Sequence, residues 1–210
     1  MANQLSAGFG LRPIGKVGGN PSNMATTQYE IANNYTTAIY NGGIVVPDSS
    51  GTIVISDQAI APLGVLAGVE FVDSVTGKTT FKNYWPGSNA VSVDTNHPVK
   101  AFVHDDPMQL YVVVADGTNT DRATALADTF INCDMASVNN GSTATGKSSD
   151  MLDISTAATT NTLDVRIVGL YEDAANADYS AAGHQYIVRL NGHFNSGTTI
   201  AVGTYATTGI

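Results

Sequence analysis

Residues 99–115 read VKAFVHDDPMQLYVVVA, and this stretch carries the pattern that decides the fold class. Two apolar runs, Val99 to His104 and Gln109 to Ala115, flank the polar tripeptide Asp105-Asp106-Pro107. Valine, tyrosine and phenylalanine favour strands, whereas aspartate and proline favour turns. The stretch therefore predicts two strands joined by a short connection.

The same alternation of short strand-like runs and turn residues extends in both directions along the chain. Short β-branched runs are separated by turn signals such as Asn41-Gly42-Gly43 and Pro86-Gly87. The best helix candidate, residues 116–128, is short, and Asp121 can cap its N-terminus. Closely spaced strands without long helices between them predict an all-β protein, mainly an antiparallel sandwich or barrel, with one short helix.

The N-terminal residues differ from the rest of the chain. Glycine, proline and asparagine are dense over residues 1–25, and this density breaks both helices and strand ladders. Apolar residues nevertheless recur there, as expected of a segment that docks onto another surface. We therefore predict an extended docking arm over residues 1–25 and a single β-rich domain over residues 26–210. The predicted contact residues of the arm are Leu5, Phe9, Leu11, Arg12, Ile14 and Val17.

Composition and charge exclude several classes of protein. The 210 residues include 9 Lys+Arg and 18 Asp+Glu, a net charge of −9, and only 13% of residues are charged. A coiled coil would be richer in charge, and a disordered acidic chain would lack the 43% apolar residues. Nucleic-acid binding requires a basic surface, so we expect no nucleic-acid partner. The longest strongly apolar runs, such as Leu110 to Ala115, are about six residues, whereas a membrane helix needs about 20, so we expect no membrane partner.

The inventory of reactive groups is small. Cys133 is the only cysteine, and the four histidines show no metal-ligand spacing. The segment Gly10 to Lys16 fits a phosphate-loop pattern, but Val17 lacks the hydroxyl that binds magnesium. The carboxylates and imidazole of His104-Asp105-Asp106 could serve a metal or catalytic site, although Pro107 favours a turn there. We therefore predict no cofactor, no metal and no enzymatic activity.

The aromatic pair Tyr84-Trp85 has two interpretations. Tryptophan and tyrosine combine a large apolar area with a polar group, which suits interface anchors. A position at the edge of the core fits the same residues equally well. Both alternatives remain open at the level of sequence.

Three stretches together resemble a known family. They are Gly8 to Pro13 (GFGLRP), Val99 to Val114, and Asn140 to Leu170, the last followed by His184 to Asn191 (HQYIVRLN). In this order they resemble small virion structural proteins of tailed bacteriophages, usually taken as head decoration or cement proteins. The family has no catalytic signature to transfer to this chain.

The resemblance implies a function and partners. The expected protein is made in the bacterial host cytoplasm and binds the outer surface of the capsid as a homo-oligomer, with a trimer favoured. Its partners would be the major capsid protein and copies of itself, and it would stabilise contacts between capsid subunits. An acidic surface suits that position, because the packaged DNA lies on the other side of the shell.

Two alternatives belong to other functional classes. One is a tail- or fibre-associated adhesin, in which Tyr40, Tyr84 and Trp85 would stack on host glycan. The other is a metal-dependent hydrolase that would use His104, Asp105 and Asp106.

Overall fold

A computed structural model describes residues 3–4, 7–19, 25–136 and 140–196. In chain order the strands are β1 (Arg12–Lys16), β2 (Thr27–Ile31), β3 (Ile44–Pro47), β4 (Ile53–Ile55), β5 (Gly64–Val72), β6 (Thr79–Lys82), β7 (Val99–His104), β8 (Gln109–Val114), β9 (Asn132–Ala136), β10 (Met151–Ala158), β11 (Val165–Tyr171) and β12 (Gln185–Leu190). The helix α1 spans Arg122–Ala127, and short 3-10 turns occupy Val17–Gly19, Ala174–Asn176 and Phe194–Ser196.

The strands form two antiparallel sheets. Sheet A has the order β1-β8-β12-β11-β9-β10, and sheet B has the order β2-β7-β5-β3-β4, with β6 paired to the second half of β5. The prediction of an all-β, mainly antiparallel fold with one short helix is confirmed. Asp121 caps α1 as predicted, because its carboxylate accepts a hydrogen bond of 2.8 Å from the backbone N–H of Thr124.

The two strands of residues 99–115 lie in different sheets. Strand β7 belongs to sheet B and β8 to sheet A, so the Asp105-Asp106-Pro107 connection carries the chain from one sheet to the other. Residues Tyr111 to Val114 of β8 are all fully buried. A strand that is covered on both faces reads as a continuous apolar run, which explains the sequence YVVV.

Each sheet has its own cluster of buried side chains, and the two clusters meet at β3 and β5. Ile44 and Val65 lie on strands of sheet B but pack in the cluster of sheet A. Their neighbours Val45 and Leu66 pack in the cluster of sheet B. Successive residues of a strand point to opposite faces, so β3 and β5 separate the two cores.

Part of the predicted arm belongs to the domain. Arg12–Lys16 pairs with β8 as the edge strand of sheet A, and Leu11 is 1% exposed within the core of that sheet. The predicted boundary at residue 25 therefore does not match the packing: a run dense in glycine and proline still forms an edge strand, where one side needs no ladder hydrogen bonds. Leu5 and residues 20–24 lie outside the described residues.

Candidate binding surfaces

The exposed part of the N-terminal segment forms a small mixed surface, which we call the β1 surface. It consists of Phe9, Arg12, Ile14, Val17 and Met108. The Arg12 guanidinium lies 5.2 Å from the centre of the Phe9 ring, a cation–π distance. Val17 and Met108 are 36% and 48% exposed, and the Val17 N–H donates to the Met108 carbonyl at 2.9 Å.

Leu11 does not belong to the β1 surface. Its side chain was predicted to contact a docking partner, but it is buried in this chain's own core. The prediction is corrected for this residue, because a side chain committed to the core is not accessible to a partner. Phe9, Arg12, Ile14 and Val17 remain at least partly accessible.

The edge of β1 is poorly suited to adding a strand from another chain. Pro13 has no N–H to donate, and the pairing register with β8 shifts between Pro13 and Gly15. Proline and bulges are the features by which natural edge strands avoid pairing with further strands. Contacts at the β1 surface would therefore be made by side chains.

Trp85 is a core residue. It is fully buried, its ring meets Phe71 edge-on at 5.9 Å, and its indole N–H donates to the Tyr35 carbonyl at 3.0 Å. Paired backbone hydrogen bonds of 2.8 Å with Ile39 fix the loop that carries it over sheet B. Of the two interpretations, the interface anchor is therefore wrong for Trp85 and the core position is correct.

Tyr84 is half-buried and stacks on Tyr40. The ring centres are 5.4 Å apart, the planes differ by 8°, and the Tyr84 hydroxyl donates to the Thr143 carbonyl at 3.3 Å. Gly141 also packs on the Tyr40 ring, since a Cβ there would lie 2.3 Å from a ring carbon. One face of each ring is thus occupied within the protein, which reduces the area available for stacking on a sugar.

The side chains of His104, Asp105 and Asp106 do not converge. Asp105 accepts hydrogen bonds from the hydroxyls of Thr27 and Tyr29 at 2.8 and 2.7 Å. Asp106 pairs instead with a lysine of β1 at 2.5 Å, and the His104 ring contacts the carbonyl of residue 25 at 3.3 Å. In the part of the chain that the structure describes, no three metal-ligating side chains meet.

His193 lies near these carboxylates, which sequence reasoning missed. Its side chain is almost fully buried, and Nδ1 accepts a hydrogen bond from the Asn195 N–H at 3.1 Å. Burial lowers the pKa of His193 to about 4, against the opposing effect of Asp105 and Asp106. The imidazole is therefore neutral at pH 7, which suits a packing role.

Two other sequence candidates occupy structural positions. Gly10 to Lys16 runs into strand β1 and packs along β8, so the match to a phosphate loop has no loop or following α-helix to support it. Cys133 is buried on β9, as expected for a structural thiol, and burial raises its pKa to about 12.

Asp150 is a buried carboxylate that the sequence did not single out. It is 2% exposed, and within the described residues Oδ1 has no hydrogen-bond partner. Burial raises the pKa of Asp150 to about 7, and a hydrogen bond with Ser148 opposes the shift only in part. The Asp150 carbonyl accepts from the Gly10 N–H at 3.2 Å, so this residue joins the loop before β10 to the N-terminal segment.

We expect Asp150→Asn to change the pH dependence of stability. The folded pKa is raised from 3.8 to about 7, so the folded state favours the protonated form, and its stabilisation is lost as pH rises from about 4 to 7. Asparagine keeps the shape without the charge. Urea unfolding should show the variant more stable than wild type by about 1–3 kcal/mol at pH 8.5 and much closer to it at pH 4.5.

Asp48→Asn is the matched control for this prediction. Asp48 lies in the turn after β3, and hydrogen bonds from Ser50 lower its pKa, so this substitution should act in the opposite direction. A difference between Asp150→Asn and wild type that is the same at both pH values would contradict the prediction.

A cavity of about 240 Å³ with a mixed polar and apolar lining lies beside β11 and the segment before β5. The Gln58 amide donates to the Met135 carbonyl at 3.0 Å and to Asp164 Oδ2 at 2.6 Å, and these bonds hold Gln58 at a φ of 65°. Asn161 and Asn191 also line the cavity. Amide and carboxylate groups of this kind hydrogen-bond hydroxylated ligands, which is the chemistry that the adhesin alternative requires.

Comparison with known proteins yields no relative. No protein-family model, no curated protein and no solved structure matches the chain. Among the described residues, no helix has the length and apolar character needed to cross a lipid bilayer.

Proposed function

We propose that the protein decorates the outer surface of a phage head. It binds the major capsid protein as a homo-oligomer, with a trimer favoured, and stabilises the contacts between capsid subunits. The position of the stretches that resemble the decoration family carries the proposal. Gly8–Pro13, Val99–Val114, Asn140–Leu170 and His184–Asn191 contribute to every strand of sheet A except β9. Stretches that lie apart in the sequence thus meet in sheet A, as expected of a shared structural unit, while Val99–His104 forms β7 of sheet B.

The charge and the β1 surface support this proposal. A net charge of −9 is compatible with a position outside the shell, away from packaged DNA. Val17 and Met108 are exposed apolar side chains that a partner could bury. An oligomer that presents several such surfaces binds a repeating lattice more tightly than one protomer, because the later contacts become intramolecular.

The test is rebinding of the purified protein to undecorated shells of the phage that encodes it. Wild type should cover the head in many copies. The double substitution Val17→Ser and Met108→Ser should weaken binding at least tenfold, because each buried apolar side chain contributes about 1.5–3 kcal/mol. Binding is measured by co-sedimentation and by imaging of the particles.

Val75→Ser is the control, because Val75 is 79% exposed on the distant turn between β5 and β6. This variant should bind like wild type. Failure of the wild-type protein to bind heads would overturn the proposal. Deletion of residues 1–25 is not a useful test, because it removes β1 and the buried Leu11 and so disturbs folding as well as docking.

The second candidate function is a tail- or fibre-associated adhesin, which the amide and carboxylate side chains in the cavity beside β11 favour. Gln58, Asn161, Asp164 and Asn191 would then hydrogen-bond the hydroxyl groups of a host glycan. The same images separate the two functions, since an adhesin would be found in few copies at the tail and would be absent from the head.

A further inference from the structure

A second cavity opens between the N-terminal segment, the turn at residues 41–42 and β5. Its volume is about 300 Å³, at the lower end of the range for ligand pockets. Apolar side chains form much of its lining, and basic side chains complete it. The apolar set is Phe9, Leu11, Pro13, Val65 and Leu66, of which Phe9 and Pro13 are partly exposed and the other three are buried. The basic set is Arg12, His104 and Lys147.

The charge of this cavity is opposite to that of the protein. The chain carries twice as many acidic as basic residues, 18 against 9. The charged residues that line the cavity are nevertheless Arg12 and Lys147, and no carboxylate is found among its described lining residues. Burial lowers the pKa of His104, so the positive charge at pH 7 comes from the arginine and the lysine.

Neither cation is neutralised within the described part of the chain. The ion pairs found there are made by Lys16, His97, Lys100 and Arg122. Arg12 and Lys147 are both exposed, and Arg12 is positioned over the Phe9 ring at 5.2 Å. Their charge is therefore available to an anionic group that enters the cavity.

Backbone hydrogen bonds fix the walls of the cavity. The Gly42 carbonyl accepts from the Leu11 N–H at 2.8 Å, and the Gly42 N–H donates to the Leu66 carbonyl at 2.9 Å. The Asn41 side chain donates to the Ala67 carbonyl at 2.6 Å. A cavity that is already formed costs a ligand little ordering of the protein.

We propose that this cavity binds a segment of a partner polypeptide in which an acidic residue is adjacent to an apolar one. The planar guanidinium of Arg12 matches a carboxylate in a two-bond geometry, and Lys147 adds a second charge. The apolar side chain of the partner packs on Phe9 and Pro13, the partly exposed apolar side chains of the lining. An inorganic anion would leave Phe9 and Pro13 exposed to water, so a peptide fits the cavity better. The partner is the capsid subunit if the proposed function holds.

The test uses the full-length, ¹⁵N-labelled protein and two capped dipeptides, acetyl-Asp-Leu-amide and acetyl-Asn-Leu-amide. The aspartate peptide should shift the amide resonances of Gly42, Leu66 and Ala67, with a dissociation constant on the order of millimolar. The asparagine peptide should bind at least fivefold more weakly. Sodium phosphate is titrated in parallel. Equal binding of both peptides, or phosphate that competes as tightly as the aspartate peptide, would overturn the proposal.

The double substitution Arg12→Gln and Lys147→Gln should abolish the preference for the aspartate peptide. Both side chains are exposed, so the fold should be retained, and the control is Lys78→Gln on the exposed turn before β6. An unchanged preference in the double variant would refute the role of these cations.

This inference and the proposed function fail separately. Peptide binding without shell binding would overturn decoration and leave the cavity assignment intact. If the protein bound shells but its cavity bound neither peptide, the peptide-binding role of the cavity would be overturned and the proposed decoration function would stand.

Discussion

Replacing Gly10 by alanine is expected to destabilise the protein by about 2–4 kcal/mol, through a strained backbone and a steric collision. Gly10 has a φ of +73°, a backbone conformation that residues other than glycine rarely adopt. An added Cβ would lie 2.5 Å from the Gly42 carbonyl oxygen and 2.8 Å from Ser148 Cβ. The carbonyl cannot move away easily, because it accepts the 2.8 Å hydrogen bond from the Leu11 N–H.

Gly77→Ala separates strain from collision. Gly77 has a similar φ of +66°, but an added Cβ would meet nothing within 4 Å. Its substitution should therefore cost about 1 kcal/mol, the penalty for the backbone conformation alone. Both variants are compared with wild type by urea unfolding at pH 7. If the two lost the same stability, close contact between the N-terminal segment and the turn at Gly42 would be refuted.

Trp85→Ala is expected to lower the free energy of unfolding by about 3–5 kcal/mol, because it removes a large, fully buried side chain from the core. Phe71 would lose its edge-on contact, and the Tyr35 carbonyl would lose its hydrogen bond from the indole. An interface anchor would behave differently, since its removal would weaken assembly and leave the isolated chain stable.

Tyr84→Ala is the neighbouring control. Tyr84 is half-buried, and its loss should cost clearly less than the loss of Trp85, about 1–2 kcal/mol for one stacked pair and its partial burial. Denaturant unfolding of the two variants at pH 7 gives the comparison. Trp85→Ala with stability within about 0.5 kcal/mol of wild type, the usual range for surface changes, would be incompatible with the core position.

Local residue preferences were sufficient to predict most of the strands. The runs at 99–104, 109–115 and 185–194 correspond to β7, β8 and β12, with errors of a few residues at their ends. These runs are rich in valine, isoleucine and tyrosine, which favour strands, and this preference is a property of the residues in each run and needs no distant contact. The cap of α1 was predictable for the same reason, since Asp121 and Thr124 are close in sequence.

Pairing between distant segments was not predictable from these preferences. The Asn41-Gly42-Gly43 turn was predictable, but the partners of the runs that flank it were not: Ile39 bridges to Trp85, and β3 pairs with β4 and β5. The turn instead receives the N-terminal segment, through the hydrogen bond between Leu11 and Gly42.

The candidate sites depended on such distant contacts even more strongly. The burial of Asp150, and the approach of His193 to Asp105 and Asp106, join segments far apart in the chain. The cavity that we assign to an acidic peptide brings together Arg12, Val65 and Lys147. No local pattern marks any of these groupings, since each residue is ordinary in its own sequence context.

The strand order also dictates when each sheet can form during synthesis. Sheet B has all its strands once His104 has been made, whereas sheet A needs β12, at Gln185–Leu190, between β8 and β11. Until the ribosome has released β12, the apolar edge of β8 has no partner on that side, and such edges promote aggregation. The nascent chain is therefore most vulnerable between completion of β8 and arrival of β12, and slower translation over that interval would prolong the exposure.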